Sequence, residues 1–519
     1  MKLLKSTALV GAMTLISRIL GLVREIVFAR FFGATGQTDA FFVAFKIPNF
    51  LRRLFAEGSF SLAFVPVLSE YREQGDRQAL KSLIDAVTGT LAAILLVITA
   101  IGVLAAPAIL AIFVPGWVAD GRDSFDLAAS MLRVTFPYAM LISLTALAGG
   151  ILNSFERFLV PALTPALLNI SFIVAAIGFT VYFDPPEMVL AWAVLAAGVI
   201  QLLFQIPALA RHGLVPRPRW GWRHPGVQKI LKLMLPTLLG SSVAQINLLF
   251  DTLIASFLIA GSVSWLNYSD RLLEFPIGVF GVALSTVILP TLSRKHARQD
   301  AAEFSHTLDW ALRLAVLITV PAAVGLAILA KPMLSSLFQY QAFNADDVVM
   351  SAYALVAYAA GLPAFIAIKV LAPGFYARQD TRTPVRIAVA ALITNMGLNL
   401  IFVVGLVWMG FAGPHAGLAL ASSAAAYLNA GLLYRNLRRR SIYMPTPGWR
   451  RLLTAVAGGS LAMAILLLWA SPDLAVLSSG EVLYRVGWLA ALIASGAGLY
   501  FIVSILLGLR FKDLQRSAT

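Results

Sequence analysis

The sequence contains no cysteine, which excludes disulfides, thiolate metal sites and a cysteine nucleophile. Histidine is scarce as well: His212, His224, His296, His306 and His415 are the only five, and all fall in loops or at the ends of apolar runs. No nucleophile, base and orienting group assemble into a catalytic constellation, so the chain reads as a non-enzyme. Charged residues occupy 13% of the 519 positions against 59% hydrophobic ones. That is too little charge to cover a water-compatible surface, and lipid becomes the expected solvent.

What is present is a succession of long apolar runs, such as 91–113, 189–209 and 486–507. A span needs roughly 20 mostly apolar residues. Read this way, the chain gives about fourteen segments near 8–31, 38–66, 83–113, 126–152, 160–182, 188–210, 229–259, 264–292, 307–330, 348–377, 385–410, 415–435, 451–470 and 484–508. Backbone satisfaction in lipid makes them helices, so the expected fold class is an all-α polytopic membrane protein. The basic start before the first run resembles a signal peptide, but Arg18 interrupts that run and no small-residue cleavage pattern follows, so an uncleaved first helix is expected.

The net charge of +15 follows the membrane rather than nucleic acid. With the N-terminus in the cytoplasm, lysine and arginine concentrate on that side and only Arg122, Lys331 and Arg485 fall outside. The loop 211–229 and the run 435–440 are the strongest orientation signals, and both would touch anionic headgroups. Both termini are therefore expected in the cytoplasm of a bacterial inner-membrane protein.

A weak duplication repeats at about 225 residues. Phe64-Val65-Pro66-Val67-Leu68-Ser69 answers Ile288-Leu289-Pro290-Thr291-Leu292-Ser293, Leu147-Ala148-Gly149-Gly150 answers Leu371-Ala372-Pro373-Gly374, and Leu168-Asn169 answers Thr394-Asn395. Six helices separate the copies, so they share topology. The expected organisation is two six-helix lobes, 1–222 and 223–440, facing a central cavity, with the helix pair of 441–519 left over.

Several charges lie where lipid forbids them. Arg18 and Arg24 sit roughly 15 and 24 Å along the first apolar segment at 1.5 Å per residue. The second carries Asp39, Lys46, Arg52, Arg53 and Glu57, and the eighth carries Asp270, Arg271 and Glu274. A charge at the bilayer centre costs about 2.5 to 3.5 kcal/mol even on a mild scale, so these side chains are expected to line water or one another. Asp39, Lys46 and Arg53 are spaced by seven, which places them on one helical stripe. Arg53 with Glu57 and Arg271 with Glu274 have the spacing of simple ion pairs. The cations of the first two helices nevertheless outnumber the nearby acids Glu25 and Asp39. Guanidinium groups in a wet cavity suit a phosphate-bearing ligand, because their fork matches its oxygens. Pro48 and Gly58, with Pro276, Gly278 and Gly281, are candidate bends in the two charged helices.

The run Thr38-Asp39-Ala40-Phe41-Phe42-Val43-Ala44-Phe45-Lys46-Ile47-Pro48-Asn49, continued by Arg52-Arg53-Leu54-Phe55-Ala56-Glu57-Gly58, resembles the second helix of the MurJ (MviN) lipid II flippase family. So do Gly261-Ser262-Val263-Ser264-Trp265 leading into Asp270-Arg271-Leu272-Leu273-Glu274-Phe275-Pro276, and Val370-Leu371-Ala372-Pro373-Gly374-Phe375-Tyr376-Ala377-Arg378-Gln379-Asp380. The resemblance extends from residue 3 to about 447, and more loosely beyond. It implies the multidrug/oligosaccharidyl-lipid/polysaccharide exporter fold, two bundles in a V with a lipid-tail groove on the last two helices. It also implies lipid II as substrate, with Arg18, Arg24, Arg52 and Arg271 as the cavity arginines and Asp39 and Glu57 as their acidic partners. Lys46 and Arg53 join the substrate-binding set, and Asp270 and Glu274 the gating or charge-pairing set. Asp251, Asn395 and Asn399 correspond to a candidate sodium site, so sodium or the membrane potential is the implied coupling, with no other cofactor. Membrane lipids and cell-wall synthesis proteins are the further partners implied, and nucleic acid is not. The competing readings are a drug/cation antiporter or a flippase for another lipid-linked oligosaccharide. An antiporter calls for an acidic or aromatic cavity, which the excess of arginine and lysine disfavours.

Overall fold

A computed structural model describes residues 2–53 and 60–509, all helix and connection with no strand among the described residues. Eleven helical stretches among them are long and apolar enough to cross a membrane. Each of the expected apolar segments coincides with one helix or a broken pair, the second running across residues 54–59, which lie outside the described set.

The chain divides into two compact units, residues 1–264 and 265–519. The first contains α1 (Lys2–Phe32), α2 (Gly36–Arg52), α3 (Phe60–Glu73), α4 (Arg77–Leu104), α5 (Ala106–Phe113), α6 (Pro115–Ala119), α7 (Asp123–Thr135), α8 (Pro137–Ser154), α9 (Leu159–Gly178), α10 (Met188–Ala210) and α11 (Pro225–Ala255). Next, α12 (Ser262–Pro276) straddles the boundary. The second unit continues with α13 (Val282–Ala297), α14 (Ala301–Ile328), α15 (Ala330–Phe338), α16 (Ala345–Tyr376), α17 (Arg382–Trp408), α18 (Ala416–Arg439), α19 (Trp449–Ala470), α20 (Leu474–Ser479) and α21 (Val482–Leu506).

Breaks follow local chemistry. Pro137 opens α8 directly after α7, at a position where a missing N–H costs no helix bond. Pro276 closes α12, and a π-helical turn at Ile277–Gly281 separates it from α13. The expected bend at Pro276, Gly278 and Gly281 is therefore a wide turn inside a long helical stretch. Pro48 lies within α2, and Gly58 lies outside the described residues.

In the first unit α1 packs along α9, α9 along α10, and α2 along α7. A core of Phe60, Phe64, Leu68, Leu83, Ile84, Ile151 and Leu152 joins α3, α4 and α8. In the second, α16 is the central helix, flanked by α14 and α18. A Cβ at Gly361 would lie 2.4 Å from Ser423 Oγ, so only glycine lets α16 and α18 approach this closely. Trp265 Nε1 donates to Asp347 at 2.9 Å, and the buried His415 donates from Nε2 to Met350 O at 2.9 Å, joining the N-terminal ends of α12, α16 and α18.

Candidate substrate-binding site

In the first unit, Arg24 on α1 is 9% exposed and enters a polar knot between α1 and α9. Its Nη1 donates to Asn169 Oδ1 at 3.1 Å, its Nη2 pairs with Glu25, and Asn169 Nδ2 donates to Ser17 O at 3.1 Å. The guanidinium carbon lies 5.7 and 5.5 Å from the ring centroids of Phe28 and Phe172. Removing one partner of a buried charge pair costs about 3–5 kcal/mol, so the pair and the two rings hold this guanidinium in one orientation. Arg18, earlier on the same helix, is exposed.

Along α2, Asp39 is buried and accepts from Gly261 N at 2.7 Å, Ser264 N at 2.8 Å and Ser264 Oγ at 2.6 Å. These donors include the first turn of α12, where N–H groups lack helical partners and a carboxylate is favoured. One heptad further, half-buried Lys46 donates from Nζ to Thr252 Oγ1 at 3.0 Å. Two of the three residues of the expected stripe, Asp39 and Lys46, thus tie α2 to a single stretch of chain, residues 252–264. Arg52 Nε donates to Asn49 Oδ1 at 2.8 Å, and Arg53 caps α2 through its backbone N–H to Asn49 O and Phe50 O. Glu57 lies outside the described residues.

In the second unit, Asp270, Arg271 and Glu274 lie within five residues of α12, Asp270 half-buried. Arg271 Nη1 donates to Glu274 Oε2 at 2.7 Å, the i,i+3 pair that the sequence spacing describes. With side chains 34% and 47% exposed, this pair adds little to stability and leaves both groups accessible. Asn399 Nδ2 donates to Asn395 Oδ1 at 3.0 Å, and Asn395 Nδ2 to Ser422 Oγ at 3.3 Å. Asp251 belongs to the first unit, where Asn247 Nδ2 approaches its Oδ2 at 3.5 Å. Among the described residues no three His, Asp or Glu side chains cluster as metal ligands. Amide and carboxylate oxygens are the donor chemistry a hard cation takes, so the residue types fit sodium.

Sequence reasoning named the charged members of these groups but missed Asn169, Thr252, Gly261 and Ser264 as their partners. Asn169 carried a signal, since it marks one copy of the repeat, and Gly261 and Ser264 stand in a quoted motif; Thr252 carried none.

Many apolar helices with charged side chains set deep within them define a polytopic membrane transporter. Residues 28–482 match the family described as Lipid II flippase MurJ. The Vibrio cholerae serotype O1 protein described as "Probable lipid II flippase MurJ" is 47% identical over 99% of this chain and 98% of its own length. A solved structure described as lipid II flippase MurJ in an inward closed conformation is 27% identical, covers 98% of this chain and all of the other, and has a TM-score of 0.81. A multidrug resistance MATE family transporter of the MOP superfamily, inward-facing, shares the fold at 16% identity over 84% of this chain and 98% of its own, with a TM-score of 0.65. This chain belongs to the MurJ family.

Proposed function

We infer that this multi-pass inner-membrane protein flips lipid II, the undecaprenyl-pyrophosphate-linked peptidoglycan precursor, from the cytoplasmic to the periplasmic leaflet. The observation that carries the reading is the set Arg18, Arg24, Lys46, Arg52 and Arg53 on the first two helices of a MurJ-family chain. Arg24, Arg52 and Arg271 are assigned to the pyrophosphate, because a guanidinium fork pairs with two phosphate oxygens at once. Arg18, Lys46 and Arg53 extend the cationic surface.

The lobes of this reading are 1–222 and 223–440, with 441–519 supplying the lipid-tail groove. Compaction carries residues as far as Ser264 into the first unit because Asp39 and Lys46 hold 252–264 against α2. Asp39 is thus assigned as a latch that holds residues 261–264 at the periplasmic end of the second span. Asp270, Glu274 and Glu57 are the remaining charge-pairing groups. Both termini lie in the cytoplasm, and alternating access exposes the cationic cavity to each face in turn. Cell-wall synthesis proteins are the partner class this role implies.

Sodium at Asp251, Asn395 and Asn399 is the proposed coupling ion, with the pair of asparagines already oriented by Ser422. Asp251→Ala should flatten the dependence of transport on sodium; a titration curve like that of the unaltered protein would leave Asp251 a structural role.

Expression of this chain in a cell depleted of its own lipid II flippase tests the assignment. Growth with normal shape is the expected result. Lysis accompanied by lowered accumulation of cationic drugs would favour the antiporter instead.

A further inference from the structure

The connection between α10 and α11, residues 211–224, is held against α4 as a strap. Lys81 Nζ donates to Val215 O at 2.7 Å, Arg217 N to Asp85 Oδ1 at 2.7 Å, Arg219 N to Asp85 O at 3.1 Å, and Gly221 N to Thr90 Oγ1 at 3.1 Å. Residues 215–221 therefore run beside residues 81–90, about 13 Å of helix at 1.5 Å per residue.

Two glycines permit the contact. A Cβ at Gly89 would lie 2.2 Å from Arg219 O, and one at Gly221 would lie 2.4 Å from Ala86 Cβ. The backbone donors follow a pattern. The N–H groups of Arg217, Arg219 and Gly221 are bonded to α4, while Pro216 and Pro218, the residues between the first three anchors, have no N–H at all. Of the donors from 216 to 221, only that of Trp220 is left to a partner beyond α4. A strap built this way loses little on leaving water, which an ordinary polar loop could not do.

Its other side carries Arg217, Arg219, Trp220, Trp222 and Arg223, all exposed. Trp220 and Trp222 are 66% and 43% exposed, and their rings stack at 6.2 Å with planes 11° apart. Thr90 lies roughly 20 Å along α4 from Arg77, beyond the polar start of an apolar span. Tryptophan is the side chain of the headgroup boundary, and arginine that of lipid phosphate.

We propose that residues 215–223 form a membrane-interface strap, with the two indoles set at the headgroup–acyl boundary and the three arginines on phosphates of anionic lipids. The leaflet concerned follows from the orientation proposed above; the depth does not, and neither depends on what is transported.

Because the chain lacks cysteine, Trp220→Cys and Trp222→Cys each give a single site for a nitroxide label, with His296→Cys, exposed in the last turn of α13, as a control of the same side. The labelled proteins are placed in phosphatidylcholine vesicles with and without phosphatidylglycerol, and label collisions with oxygen and with a water-soluble nickel chelate are compared. Labels at 220 and 222 should favour oxygen severalfold more than the label at 296. That preference should shrink without phosphatidylglycerol, and in the Arg217→Gln, Arg219→Gln, Arg223→Gln background. Nickel accessibility equal to that at 296 would overturn the proposal, as would a depth indifferent to both lipid charge and arginine removal. Gly89→Leu offers an independent displacement, since it pushes the strap from α4 without altering its sequence; labels that stay equally deep in this variant would also count against it.

Discussion

Arg24 is a charge held where lipid makes charge expensive, and its neighbours show how the chain tolerates it. Glu25 balances it, Asn169 sets its direction, and Phe28 and Phe172 offer ring faces to the guanidinium. Arg24→Ala would leave Glu25 buried without this partner and remove a guanidinium that the proposal assigns to the pyrophosphate. Arg24→Lys keeps the charge but cannot serve Asn169, Glu25 and a phosphate with the same planar fork. We expect the alanine variant, and Arg52→Ala likewise, to insert normally yet fail to support growth of a flippase-depleted cell, with lysine restoring it only in part. Full growth of either alanine variant would remove that residue from the mechanism. The presence of Arg24 at depth was legible in the sequence, because an arginine inside an apolar run announces itself. Its partner Asn169 was not, because 145 residues separate the two and only the packing of α1 on α9 joins them.

At the scale of elements, length and apolarity located the helices, and Pro276 with its glycines located the π-helical turn between α12 and α13. What the sequence left open was how the connections are fastened. Asp309 on α14 is 2% exposed and gathers the connection between α18 and α19. It accepts from Tyr443 Oη at 2.7 Å, Trp449 Nε1 at 2.8 Å, Arg313 Nε at 2.8 Å and the Thr446 hydroxyl. Arg313 in turn donates to Thr446 O at 3.0 Å and Pro447 O at 2.8 Å. An aspartate in an apolar run reads as a transport residue or an ion pair, and nothing in its spacing reveals three partners from beyond residue 440. Without Asp309, half-buried Arg313 loses its carboxylate and Tyr443, Thr446 and Trp449 lose their shared acceptor. Asp309→Ala should therefore expose residues 441–448 to limited proteolysis that leaves the unaltered protein intact. Equal resistance in both would mean that packing of α19 on α14 alone fixes the connection.

For the molecule as a whole, the energetics of transport follow from charge. A pyrophosphate headgroup of about two negative charges moving outward from a negative interior gains roughly 4 to 5 kcal/mol per 100 mV, at about 2.3 kcal/mol per charge. The empty carrier must return with its cations uncovered, and pairing with Asp39, Glu57 and Asp270, or a sodium ion, is the proposed relief. The expectation of a parallel repeat rests on short matching motifs at nearly one offset. The boundary of the compact unit at Ser264 was not legible, because the hydrogen bonds that Asp39 accepts and Lys46 donates there join α2 to chain more than 200 residues away. The central claim is that arginines on the first two spans carry the lipid pyrophosphate across. The measurement that meets it most directly is translocation of the lipid II headgroup in reconstituted vesicles held at an inside-negative potential on the cytoplasmic side of the protein. The unaltered chain should move headgroups faster than protein-free vesicles, and slower when the potential is clamped at zero, while the Arg24→Ala, Arg52→Ala double variant should fall to the protein-free background. A double variant that moves headgroups at the unaltered rate would contradict the account.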